Sequence, residues 1–143
     1  MKMADQVLKD SFHMKKSVVV YVPSTSQASV NISKVQLKRR VDQVKKFLSN
    51  LFGGFTSTDS AGGYTGNSGE LIEEKIIRVK SFMEEDKWTE INKSKLICQI
   101  KLWCKVWSQE SMGVEVNGVL HYIDASSVSL CRKGSENPQL KFI

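Results

Sequence analysis

Residues 76–82 alternate two kinds of side chain directly after a Gly/Ser/Thr-rich stretch, and this pattern constrains the fold more than any other feature of the chain. Successive strand residues point to opposite faces, so Ile77 and Val79 with the small Ser81 form one face, and Ile76, Arg78, Lys80 and Phe82 form the other. The first set suits a core. The second places two cations beside an aromatic ring, which suits a ligand with phosphates and a flat base: the cations neutralise the one and the ring stacks on the other. The plain alternative is a solvated sheet edge with one exposed ring.

The rest of the chain supplies partners for that strand. Residues 18–22 are dense in β-branched side chains and predict a central strand, stopped by Pro23 and a polar run over residues 24–29. A helix then opens at Ile32-Ser33, with Leu37, Val41, Val44, Leu48 and Leu51 on one face, and ends at Gly53-Gly54. Residues 55–58 read as a short strand and residues 59–69 as loop by composition. A long helix is expected over residues 84–111, with Trp88, Trp103 and Trp107 on one stripe that suits core or subunit contact. Asn117-Gly118 at the centre of an apolar alternation predicts a hairpin over residues 114–122. Residues 1–13 read as an accessory N-terminal arm, and residues 125–143 as a tail that extends the sheet or reaches a neighbouring subunit. The order predicts an α+β fold: an antiparallel sheet with two helices on one face, split β-α-β-like, plus the C-terminal hairpin and tail. Arg78, Lys80 and Phe82 then lie on the open face.

A chain of 143 residues suits a single domain over 1–143 that buries its own core. Its longest apolar run is far short of a membrane span, and with no signal-peptide pattern the expectation is the cytoplasm of a bacterial host, without membrane contact. Cys98, Cys104 and Cys131 are odd in number and lack CxxC spacing, so buried thiols are expected, with neither disulfide nor zinc. The net charge of +6 is concentrated at Lys34, Lys38, Arg39, Arg40, Lys45 and Lys46, a basic helix face with Asp42 as its one acid. Such a run is commonly a solvated surface, although it also suits nucleic acid.

Catalytic patterns are sparse. The two histidines, His13 and His121, fall in the arm and the hairpin, and Glu73 and Glu74 point to opposite faces of a strand. The glycine-rich stretch lacks GK[ST] and leads into a strand, and no HExxH is present. These absences predict binding without catalysis: no catalytic residue, metal ligand or cofactor. The aromatic-rich octapeptide of RNA-recognition domains is also missing, since residues 74–82 offer one ring.

The chain's size, its Lys/Asn/Ile-rich composition, Val-Lys-Ser-Phe82 closing a strand and Asn92 opening the long helix resemble the phage-encoded Thoeris anti-defence sponges. The resemblance centres on residues 62–92. It implies a non-enzymatic protein that captures a cyclic ADP-ribose isomer made by TIR-domain enzymes, and assembly as a homo-oligomer with ligand near subunit contacts. Phe82 would stack on adenine and Asn92 would bond a base edge. To these the residue reading adds Arg78 and Lys80 as pyrophosphate partners, and Thr65, Asn67 and Ser68 as donors to ribose or phosphate. The alternative is a small basic nucleic-acid-binding accessory protein of a phage or mobile element, whose binding would fall steeply with salt.

Overall fold

Strand β1 (Lys16–Pro23) is the centre on which the other elements assemble. The computed structural model describes residues 2–27 and 30–133. Helix α1 (Met3–Asp10) precedes β1, and the short β2 (Thr25–Ser26) and β3 (Val30–Asn31) pair with each other after it. Then follow α2 (Lys34–Phe52), β4 (Thr56–Thr65), β5 (Leu71–Met83), a 3₁₀ turn (Glu85–Lys87), α3 (Glu90–Val106), β6 (Met112–Val116), β7 (Val119–Ile123) and α4 (Val128–Lys133). The five-stranded sheet has the order β4-β5-β1-β6-β7, and each pair in it is antiparallel. The expected α+β class with both long helices on one face is what the chain adopts. No described helix is long and apolar enough to cross a membrane.

Alternation in β1 sends Val18, Val20 and Val22, all fully buried, to the helix side, where Val79 of β5 and Val114 of β6 join them. Helix α2 presents Val44, Phe47, Leu48 and Leu51 to this face, and α3 presents Leu96, Ile100 and Trp103. The tryptophans are core material: Trp103 meets Phe47 edge-on at 5.5 Å and stacks on Trp107 at 5.3 Å. Helix α2 starts at a capping box, with Ser33 Oγ accepting from the Gln36 N–H and Gln36 reaching back to the Ser33 N–H. It stops at Gly53, whose φ of 109° strains any side chain. Asn117 and Gly118 both adopt positive φ and close the predicted β6–β7 hairpin.

Three expectations need correction. The polar stretch assigned to loop is strand β4, paired with β5 residue by residue from Thr56 opposite Lys80 to Thr65 opposite Leu71. Pairing to a long partner overrides local composition here, because an edge strand tolerates small residues that a central strand does not. The long helix begins later than expected, at Glu90, because Thr89 Oγ1 caps the Asn92 N–H and the 3₁₀ turn precedes it. Two cysteines are not free: Cys98 of α3 is disulfide-bonded to Cys131 of α4, and Cys104 alone is a buried thiol. A sequence separation of 33 carries no spacing signal, and only the return of α4 onto α3 brings the pair together. Within the expected N-terminal arm, residues 3–10 form the regular helix α1. Of the expected tail, residues 125–133 form a turn and α4, and residues 134–143 lie outside the described residues.

The core makes a direct prediction. Ile100→Ala, which empties a fully buried position between α3 and the sheet, is expected to lower unfolding free energy by about 3 kcal/mol. Urea denaturation measures this as a lower midpoint at unchanged slope.

Candidate functional site

The sheet face away from the helices is open, and its register lines up side chains from four strands. Thr56 and Thr58 of β4, Arg78 and Lys80 of β5, Val19 and Tyr21 of β1, and Glu115 of β6 share it. Phe82 is on this face and is 49% exposed, with Lys80 Nζ 4.3 Å from the centre of its ring. The arrangement of Arg78, Lys80 and Phe82 is thus the one the alternation describes.

Their charges are not equally available. Glu115 Oε2 accepts from Arg78 at 2.8 Å and from the Tyr21 hydroxyl at 2.7 Å, while the Arg78 guanidinium lies over the Tyr21 ring. The bond from Arg78, reinforced by the bond from Tyr21, holds the Glu115 carboxyl below the usual carboxylate range. The same Glu115 bond, with burial, pushes the Tyr21 hydroxyl up, and it pushes Arg78 up as well. Arg78 is therefore committed to an internal pair. Gly113 makes room for this cluster, since a Cβ there would sit 3.1 Å from Cδ2 of Tyr21.

The other expected ligand groups are dispersed. Asn92 lies on α3, in the helix layer, where its Nδ2 donates to the Lys87 carbonyl at 2.7 Å. Phe82 and Asn92 are on different layers, and the structure does not bring them to one site. Thr65 ends β4, and Asn67 and Ser68 form the β4–β5 turn. The nine-residue step from Lys80 to Leu71 along β5 places that turn roughly 30 Å of strand from Lys80.

The same register reveals a site that the sequence analysis passed over. Beyond Ile76, the residue paired with the last position of β1, β4 and β5 continue as a two-stranded arm. A cleft of about 740 Å³ lies between the arm and the end of the sheet. Its walls include Tyr64, Glu74 and Ile76 from the arm and Tyr21, Gly113 and Tyr122 from the sheet, with Glu73 also at its edge. Glu74 is half-buried and takes a bond from Thr25 Oγ1 at 3.3 Å. Thr25 is fixed in turn, because its carbonyl accepts from Arg40 at 2.8 Å and from Gln109 Nε2 at 2.7 Å. The available signal was Glu74 itself, a carboxylate between Ile72 and Ile76 in the same alternating half-set. Gly62 faces Glu74 across the pair and leaves space that a Cβ would take from the Ile76 side chain, 2.5 Å away. Carboxylates among three tyrosines suit a cation carried on an aromatic body. Among the described residues, no group of His, Cys, Asp and Glu could hold a metal ion.

No family model matches the sequence, and no curated protein matches it. Two solved structures are similar in fold. One is a phage SAM lyase in complex with S-methyl-5'-thioadenosine, with TM-score 0.53, 17% identity, and coverage of 80% of this chain and 93% of that one. The other is a phage SAM lyase in the apo state, with TM-score 0.50, 14% identity, and coverage of 79% and 91%. The likeness corrects the expectation of a binder without chemistry, since both of these solved chains are enzymes. That expectation rested on the lack of a histidine-based or metal-based pattern and on Glu73 and Glu74 pointing to opposite faces of a strand.

The Glu115 cluster predicts an acid-sensitive element of stability. Its folded pKa is depressed, so its contribution is complete above the unfolded glutamate value of about 4.3 and is lost as pH falls through the lower folded value. Glu115→Gln is expected to lower the urea midpoint at about pH 7, with the difference from the parent shrinking below about pH 4. A difference that stays constant with pH would refute the assignment.

Proposed function

We propose that the chain is a lyase acting on a sulfonium nucleoside of the SAM type, and that the cleft between the β4–β5 arm and the sheet is its site. The observation that carries this reading is Glu74, a carboxylate held by Thr25 inside a cleft walled by Tyr64, Tyr21 and Tyr122. A sulfonium centre is a permanent cation with no proton to donate, so only anions and aromatic faces can recognise it. An adenine ring beside it adds a flat surface for a tyrosine. The likeness in fold to phage SAM lyases supports the same reading.

The chemistry such a site would perform needs neither metal nor water. The bond between sulfur and the amino-acid chain breaks, its electron pair returns to sulfur, and methylthioadenosine leaves as a neutral thioether. The amino-acid fragment leaves with loss of a proton or by closure through its own carboxylate. In the first case Glu74 is the residue placed to take the proton. In the second it holds the sulfonium while the fragment closes. Loss of charge at sulfur during the step favours displacement of water from around the sulfonium, and the tyrosine rings are the apolar surface placed to do so once ligand is bound.

This reading keeps the phage anti-defence part of the sequence expectation and replaces capture of a messenger by turnover of a metabolite. Capture of a cyclic ADP-ribose isomer would need Phe82 and Asn92 on one ligand, and these lie on different layers of the chain, so a shared ligand would have to sit between copies. The nucleic-acid alternative has no second observation in its favour, because Lys38 is already paired with Asp42 and Arg40 is buried.

Incubation of the purified protein with SAM, followed by mass spectrometry, tests the proposal. The expected result is methylthioadenosine together with a four-carbon amino-acid fragment; the unsaturated amino acid and the lactone have equal mass, so chromatography against standards of each separates the two routes. Glu74→Gln is expected to lower turnover by about 100-fold while the melting temperature stays close to that of the parent. Unchanged SAM after long incubation with folded protein would overturn the reading.

A further inference from the structure

Helix α1 and a groove on the helix layer are two apolar surfaces without a partner, and they are complementary. On the wheel of α1, Met3, Ala4, Val7 and Leu8 occupy one side, and Asp5, Gln6, Lys9 and Asp10 occupy the other. None of the eight residues is buried, and Met3, Val7 and Leu8 are 83%, 61% and 69% exposed. A helix this short is marginal in water on its own, so an amphipathic one has its stability in whatever covers the apolar side. Phe12, just beyond it, is 76% exposed and adds to the same unsatisfied surface.

The groove lies between α3 and the β6–β7 hairpin and encloses about 510 Å³. Its floor includes Trp88, Leu96, Ile97, Val116 and Ile123. Lys93, Lys101 and Asp124 also line it. Lys93 bonds Glu90 and lies over Trp88, and Lys101 bonds the Ser126 carbonyl, so both ammonium groups are held in place with donors to spare. On α1 the two acids, Asp5 and Asp10, lie nearer the edges of the apolar side than Lys9 does, so negative charge is what the docked helix would bring toward Lys93 and Lys101.

We propose that α1 of a second copy of this chain docks in the α3–β7 groove, so that copies associate by exchanging N-terminal arms. The partner is a second copy because the chain's own helix stands clear of its own groove: no α1 residue lines the groove or is buried. The residue after α1 is extended, with φ −72° and ψ 154° at Ser11, which carries the helix away from β1 on a short link. The argument does not rest on the proposed lyase activity, although Tyr122 lines both the groove and the cleft of Glu74.

Sedimentation and peptide binding together test it. The full chain at micromolar concentration is expected to sediment as an oligomer. A chain lacking residues 2–13, and a Leu8→Asp variant, are expected to sediment at lower mass with unchanged melting of the remaining fold. A fluorescent peptide of residues 2–15 is expected to bind the arm-deleted protein saturably, and Ile97→Glu to weaken that binding at least about 10-fold. Lys101→Glu at the rim provides a second test if Ile97→Glu does not fold. A monomeric full chain would overturn the exchange, including the case in which the arm covers its own groove. Failure of the peptide to bind, or binding unaffected by either groove variant, would also overturn it.

Discussion

The buried Arg40 guanidinium organises the end of the sheet where the cleft lies. It projects from α2, stacks on Trp107 of α3 at 5.0 Å, and donates at 2.8 Å to the carbonyls of both Pro23 and Thr25. Burial lowers its pKa from the free value but leaves it among the most basic of side chains, so the charge is retained and must be satisfied. Two backbone carbonyls and an aromatic face do so. Removing the side chain would take this donor from the Pro23 carbonyl at the point where the chain leaves β1, and would leave the Thr25 carbonyl held by Gln109 alone, loosening the residue that bonds Glu74. One interaction thus ties both helices, the central strand and a wall of the cleft together.

Legibility of the fold followed from how local each signal is. Helix α2 was readable because its cap, its apolar period and its terminal glycines are consecutive in the chain, and the β6–β7 hairpin because Asn117-Gly118 has few other uses. Strand β4 was readable only at its start, over residues 55–58: Asp-Ser-Ala-Gly-Gly carries no strand signal, and the strand's continuation depends on the length of β5. The Cys98–Cys131 bond was hidden for a related reason, since it depends on where α4 returns. Arg40 was read as part of a solvated basic face, and it is the member of that run whose position in the period points inward.

The candidate site was legible as a face, but not as to which of its charges are already paired. Alternation correctly placed Arg78, Lys80 and Phe82 together, but alternation cannot reveal what lies on the next strand. Glu115 arrives from β6 and Tyr21 from β1, and both are spent on Arg78. Phe82 and Lys80 also satisfy one another to a degree, with the ammonium over the ring. A phosphate-bearing ligand on this face would have to compete with Glu115 for Arg78. The local charge that favours such a ligand is therefore smaller than the residue list suggests.

Further along the same face the balance reverses. The chain carries a net charge of +6, yet the cleft contains Glu74 and Glu73 and no lysine or arginine among its lining residues. In a basic protein the long-range field discourages cations, so a cation that binds there must be recognised at contact distance by the carboxylates and the aromatic walls. This restricts the ligand more than size does. A polyphosphate would be drawn to the protein and repelled at the cleft, whereas a sulfonium nucleoside is only weakly opposed at long range and is complemented once inside. The charge pattern of the open face, paired at Arg78 and acidic at Glu74, thus suits the proposed sulfonium nucleoside better than a polyphosphate, a distinction that shape alone would not make.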